Sequence, residues 1–312
     1  MIVALAGGVG GAKLADGLAR CVGAELTVIV NTGDDFEHLA LHISPDLDTV
    51  MYTLAGIANP ATGWGIADET WDTLEQITRL GGSDWFKLGD KDLATHILRT
   101  ERLRRGDRLT DITADLCRAL GVAARVLPMS DDPVRTIVQS GKEQYPFQDY
   151  FVRLQCNVPV TSLYFEGAAE AQPSPEVHAA LQDTALSAIV LCPSNPYLSI
   201  NPILAMPGMR DLIGRADVPV VAVSPIIGGA AVKGPAAKIM TELGVNPSVV
   251  GIAEHYKGSI DGLLIDTVDR SLAGDIEALG IRVRATSILM RDVDDRQRLA
   301  DECIAFAKET VS

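Results

Sequence analysis

The sequence predicts an α/β fold: an open, mostly parallel sheet carrying a helical insertion and a small β excursion. Three observations predict it. Short, almost wholly apolar runs at Ile2–Ala6, Leu26–Val30, 188–192 and 218–223 read as strands covered on both faces. They alternate with stretches whose apolar residues recur at helical spacing. Three of these strands end in loops rich in glycine, proline, serine or asparagine, the place where open parallel sheets bind their ligands. The 312 residues, 47% apolar and 22% charged, suffice for a sizeable core and are read as one domain spanning 1–312.

The totals also narrow the function. A net charge of −14 argues against nucleic acid or an anionic membrane as partner, so an anionic ligand must be met by local donors. A small-molecule site is expected. The five cysteines, Cys21, Cys117, Cys156, Cys192 and Cys303, are odd in number and form no C-x-x-C pair, which suits reduced thiols rather than a disulfide or zinc framework. The first residues lack the basic start of a signal peptide and no apolar run is long enough to span a membrane, so a cytoplasmic protein is expected.

The chain opens on its most informative turn. Gly7-Gly8-Val9-Gly10-Gly11-Ala12-Lys13 follows the first strand and leads into a helix beginning near Gly11, which gathers unpaired N–H groups and a positive dipole end at one point. Glycine lets the backbone approach a ligand with no Cβ in the way. The run is not G-x-G-x-x-G, because Lys13 stands where the third glycine belongs. Nor is it a P-loop, because Ala12 precedes the lysine and Leu14 follows it. Either it holds phosphate or it is a tight turn without a ligand.

Strand, helix and strand over residues 2–30 make a βαβ unit, so the sheet is Rossmann-like and Asn31 lies near the glycine loop. Asp34 and Asp35 there either accept a ribose hydroxyl or cap a turn. Ser44 and Pro45 read as the N-cap and first residue of a helix with Asp46 and Asp48 in its first turn. These acids either favour the helix dipole or carry magnesium, which takes only one or two protein oxygens.

Residues 56–121 read as a helical insertion or lid, with apolar faces at Trp71, Leu74 and Ile77, then Leu93, Ile97 and Leu98, then Ile112, Leu116 and Leu120. It holds the three tryptophans, a charged turn over 87–92 that reads as a solvated helix start, and His96, which is more often a surface or core histidine than a ligand. Residues 124–127 then read as a strand, and 136–140, 150–155 and 161–165 as short strands, the first two joined by a turn at Gly141. Ser174-Pro175 opens a helix, and further strands at 188–192, 218–223, 263–265 and 281–283 precede an amphipathic helix over 293–311. Gly7 to Lys13, Ser194-Asn195 and Gly228-Gly229 are therefore expected to converge at one sheet edge. Lys13 is a candidate for neutralising phosphate, and Lys233 either shares that task or is solvated.

Seven stretches, GGVGGAKL, NTGDD, SPDLDTVMY, KLGDKDLATHILRT, LPMSDDP, CPSNPYLSINPIL and VSPIIGGAAVKGPAAK, occur in this order. Together they resemble the 2-phospho-L-lactate transferases, the CofD family, which make the deazaflavin coenzyme F-420. The resemblance implies a magnesium-dependent reaction. In it, the terminal ribityl hydroxyl of the deazaflavin Fo attacks a guanosine-diphosphate-activated, phosphorylated three-carbon acid and GMP is released. It implies that Gly7, Gly8, Gly10, Gly11, Lys13, Asn31, Ser194, Asn195, Gly228 and Gly229 hold the guanosine diphosphate (GDP) moiety. Asp46 and Asp48 would hold magnesium, Asp48 also meeting the Fo hydroxyl, and Lys87 and Asp90 would line the Fo side. A homodimer is implied as well.

Family members often begin GGTG, and Gly8-Val9-Gly10 here leaves the backbone alone to meet phosphate. Whether phospholactate, phosphoenolpyruvate or phosphoglycerate is transferred is left open. Two other readings are weaker. A regulatory nucleotide-sugar binder similar to the gluconeogenesis factor family is disfavoured by the PDLDTVMY and GDKD stretches, and a nicotinamide dehydrogenase by Lys13 and the extra proline-rich loops.

Overall fold

Alternation along the first strand divides the molecule into layers. In β1 (Ile2–Ala6), Val3 and Leu5 enter one apolar core while Ile2, Ala4 and Ala6 enter the other, so both faces of the strand are covered. The computed structural model describes residues 1–310. The further strands are β2 (Leu26–Val30), β3 (Phe36–His38), β4 (Leu41–Ile43), β5 (Arg125–Pro128), β6 (Arg135–Ser140), β7 (Glu143–Pro146) and β8 (Ser162–Glu166). They continue as β9 (Ala188–Leu191), β10 (Val220–Val223), β11 (Ile226–Ile227), β12 (Ala230–Ala231), β13 (Gly262–Ile265) and β14 (Arg282–Ala285).

Seven strands form one parallel sheet in the order β14-β13-β10-β9-β1-β2-β5. The chain steps outward from β1 through β2 to β5, then returns to β9 on the other flank of β1 and steps outward again. That reversal makes the β1/β9 boundary a topological switch point, the place where open parallel sheets bind their ligands. Helices cover both faces. The first five are α1 (Gly8–Val22), α2 (Pro45–Leu54), α3 (Asp72–Arg79), α4 (Asp90–Arg104) and α5 (Leu109–Ala119), the last three lying within 56–121. Among the described residues no helix is long and apolar enough to cross a membrane.

The structure departs from the sequence expectations in four places. Residues 150–155 are not a strand: Asp149–Arg153 is a π-helical turn that buries Tyr150, and β6 pairs instead with β7. The Gly141-Lys142 turn reverses the chain at once, setting Ser140 opposite Glu143, so the partner strand is the segment directly after the turn. The helix after the glycine turn begins at Gly8 rather than near Gly11. In α4 the expected apolar face is turned outward: Ile97 and Leu98 are 49% and 50% exposed, whereas His96 and Arg99 are each 1% exposed. A buried cation demanded by α2 overrides the apolar period there. Finally, β3 and β4 form a hairpin that no periodicity announced, against which Trp85 and Phe86 pack. The closing helix runs Val293–Thr310; Val311 lies outside the described residues.

Candidate functional site

The switch point is built first from backbone. Gly7 N–H donates to Ser194 Oγ at 3.0 Å, joining the loop after β1 to the loop after β9. A Cβ on Gly10 would lie 2.4 Å from the Pro193 carbonyl oxygen and one on Gly11 2.5 Å from Ser194 Oγ, so these glycines let the two walls touch. Gly8 N–H, at the positive start of α1, donates to Asp46 Oδ1 at 2.6 Å. Asn195 accepts from Tyr197 and Leu198 N–H groups and so starts the π-helical turn Pro196–Ile200, while its own Nδ2 is buried with no partner.

Behind the glycine turn is an acid cluster. Asn31, fully buried, donates from Nδ2 to Asp46 Oδ2 at 2.9 Å and to Asp34 Oδ1 at 3.3 Å, and its Oδ1 accepts the Gly33 N–H. Asp46 therefore has an amide donor on each oxygen. Even so, burial, with the charge of Asp35 adding to it, pushes its carboxyl up to about 6. Burial, then the charges of Asp46 and Asp35, push Asp34 well above the usual carboxylate range. Ser44 does not cap α2 with its side chain: its hydroxyl donates to Asp35 Oδ2 at 2.8 Å, an oxygen that also faces His42 Nε2 at 3.0 Å. Buried carboxylates with too little positive charge around them suit a hard divalent cation, and their oxygens are the donor type magnesium takes.

Asp48 faces elsewhere. Two residues along a helix are about 200° apart, so the carboxylate next after Asp46 turns away from it. Both its oxygens meet the guanidinium of Arg99: Nη1 donates to Oδ2 at 3.0 Å and Nη2 to Oδ1. Burial works against the Arg99 charge, yet Asp48 holds its pKa above the ordinary value. His96 Nδ1 lies 3.4 Å from Arg99 Nη1, its Nε2 lies 3.3 Å from Asp92 Oδ1, and Tyr52 Oη donates to that oxygen at 2.7 Å. Asp92, His96 and Arg99 share one face of α4, opposite Asp48 and Tyr52 on α2, forming a polar seam.

Asp48, Asp92 and His96 could each bring a ligand atom within 4.8 Å of the others, but the Arg99 guanidinium and a ring nitrogen there do not make the oxygen shell of magnesium. Reading the sequence missed Asp92, Arg99 and Tyr52. The available clue was their spacing, three polar residues at i, i+4 and i+7 on α4 against two at i and i+4 on α2.

The remaining candidates spread out. Lys13 Nζ donates to the Met290 carbonyl at 2.8 Å, and burial, then the charges of Arg296 and Lys233, lower its pKa. Lys233 Nζ donates to the Thr62 carbonyl at 2.5 Å, next to Gly63, which packs on Val9. Gly228 and Gly229, with φ of 57° and 77°, are the two central residues of the exposed β11–β12 hairpin turn, which requires positive φ at both. Gly228 N–H donates to Asp269, so it is Lys233, and not the glycine pair, that this loop sends toward Val9. Asp90 accepts from Thr70 Oγ1 and from the N–H groups of Asp72 and Thr73, bonds that hold its carboxyl down to about 2 and cap α3. Lys87 is exposed.

Over residues 2–289 the chain matches the family model described as 2-phospho-L-lactate transferase CofD. It is 45% identical over 315 residues to the phosphoenolpyruvate transferase of Streptomyces avermitilis, covering 99% of this chain and 98% of that protein. It is 40% identical over 311 residues to the 2-phospho-L-lactate transferase of Methanocaldococcus jannaschii, covering 98% of each. The crystal structure of protein BH3568 from Bacillus halodurans superposes with a TM-score of 0.63 at 17% identity, covering 97% of this chain and 98% of that one. That likeness speaks to the fold. With the family match running through almost the whole sheet and relatives alike end to end, the chain belongs to the 2-phospho-L-lactate transferase (CofD) family and is a transferase.

Proposed function

We propose that the protein catalyses the transfer step of coenzyme F-420 synthesis implied by its family. A ribityl hydroxyl oxygen of Fo bonds to the phosphorus carrying the three-carbon acid, its proton passes to water, the bond from that phosphorus to the bridging oxygen breaks, and GMP leaves. The observation that carries this reading is the junction of Gly8 and Asp46 at the β1/β9 switch point, where helix-start N–H donors and a carboxylate short of positive charge lie side by side. Such a junction seats a diphosphate with its counter-cation.

The chain's residues divide the work. Gly7, Gly8, Gly10, Gly11, Ser194 and the free Nδ2 of Asn195 meet the guanosine diphosphate, with Asn31 fixing Asp46 and Lys13 and Lys233 adding positive charge. The Gly228-Gly229 hairpin borders the same ligand. Asp46 would hold magnesium, which when bound supplies charge neutralisation on the diphosphate, while Asp48, turned away from it and paired with Arg99, is left out of the metal's shell. Asp48 orients the Fo hydroxyl, and Lys87 and Asp90 line the Fo side. In-line positioning with charge neutralisation is what phosphoryl transfer needs, so no covalent intermediate is called for. The protein works in the cytoplasm as a homodimer. Because relatives at 43–45% identity carry the phosphoenolpyruvate name, the phosphoenolpyruvate-derived donor is the first to test.

The test is titration with Fo, followed by deazaflavin fluorescence, with and without GDP and magnesium. Saturable binding that Asp48→Asn weakens is expected; no binding under any condition overturns the proposal.

A further inference from the structure

Helix α4 leaves Ile97 and Leu98 half exposed and buries Arg99, the opposite of what burying apolar surface alone selects. A buried ion pair is by itself a poor source of stability, because desolvation offsets most of the attraction. Stability alone is therefore a weak reason for the Asp48–Arg99 pair.

We infer that Arg99 is a positioning residue for the transfer reaction: its planar fork, seated on both oxygens of Asp48, fixes that carboxylate toward the acceptor hydroxyl and leaves Asp46 alone to the metal. The inference rests on the acceptor role proposed above for Asp48. Three observations support it. The fork contacts both carboxylate oxygens, which restrains rotation as well as charge, whereas an ammonium acts as a point charge. Arg99 is itself held in place, with His96 Nδ1 3.4 Å from Nη1, and His96 is backed by the Asp92–Tyr52 hydrogen bond. Its Nε is buried without a partner, so the side chain sits where Asp48 needs it rather than where its own donors are best satisfied. Asp46, meanwhile, faces Gly8 and Asn31 on the other side of α2.

The test uses the full-length protein and two variants, Arg99→Lys and Asp48→Glu. The first keeps the charge and loses the fork; the second keeps charge and fork but moves the carboxylate by one methylene. Each is assayed for GDP and magnesium binding by calorimetry and for kcat and KM with Fo and the activated donor. For both, kcat is expected to fall about 10- to 100-fold while GDP and magnesium affinities stay within about twofold. Combining Arg99→Lys with Asp48→Asn is expected to cost no more than Asp48→Asn alone, since the two residues act as one unit.

Wild-type kcat in either variant overturns the inference, as does multiplicative loss in the double variant. Loss of GDP and magnesium binding in parallel with kcat overturns it too, because it would make Arg99 a support of the whole site. Failure of the unmodified protein to bind Fo is a different result, which removes the acceptor reading itself and this inference with it. If Arg99→Lys does not fold, Arg99→Gln, which keeps planar N–H donors toward Asp48 without the charge, takes its place with the same outcomes.

Discussion

The two walls of the site are built from different materials. On the β1/β9 side, N–H groups of Gly7 and Gly8 meet Ser194 and Asp46, and the glycines allow backbone to touch backbone. On the α2/α4 side the work is done by long side chains, Asp48, Arg99, His96, Asp92 and Tyr52, packed in a seam that displaces apolar residues to the surface. A backbone wall tolerates changes in side chain but no added Cβ. A side-chain wall tolerates added volume at its edges but no unbalanced charge.

Arg99→Met tests that contrast most severely. It strands the Asp48 carboxylate in a buried site and is expected to destabilise the protein by about 3–5 kcal/mol in urea unfolding, most of it recovered by adding Asp48→Asn. A loss below about 1 kcal/mol would mean that water already reaches the pair. On the opposite wall, Gly10→Ala drives a Cβ against the Pro193 carbonyl and is expected to cost about 1–3 kcal/mol, with GDP binding weakened alongside.

The acid cluster gives a pH test that separates the walls. Asp46 is raised from 3.8 to about 6, so its protonation favours the folded state: the contribution is fully present below about 4 and is lost as pH rises through about 6. The metal-free protein should therefore lose thermal stability relative to Asp46→Asn over that range, and magnesium should bind more weakly below about 6 as protons compete. A constant difference between the two proteins across pH 4–7 would contradict this. The smallest effect is expected at Ile97→Gln and Leu98→Gln, each within about 0.5 kcal/mol of the parent, because both side chains are half exposed. A loss of 2 kcal/mol or more in the same unfolding experiment would show that a second copy covers them.

The same contrast explains what could be read in advance. Ile2–Ala6 and Leu26–Val30 have the expected bounds because a strand buried on both faces must be apolar throughout, and β9, β10, β13 and β14 fall within two residues of theirs at each end. The glycine turn was legible for a related reason: only backbone geometry accounts for so many glycines together. The α4 seam was not, because a period of apolar residues locates a face without saying which face wins when a partner helix presents a buried carboxylate. The hairpin strands β3, β4 and β7, at three or four residues, are too short to show any period. Gly228 and Gly229 carry a weaker signal, since their turn demands glycine whether or not a ligand is near.

The hydrogen bond from Gly8 to Asp46 has a thermodynamic consequence. Before any phosphate arrives, the helix start already holds an anion of the protein's own, so under the proposed function donor binding is an exchange of one anion for another. Whatever relieves Asp46 of its negative charge, cation or proton, frees the N–H and raises donor affinity. By reciprocity the donor tightens the hold on that cation by the same factor. Under the proposed function each of the two ligands therefore raises the other's occupancy.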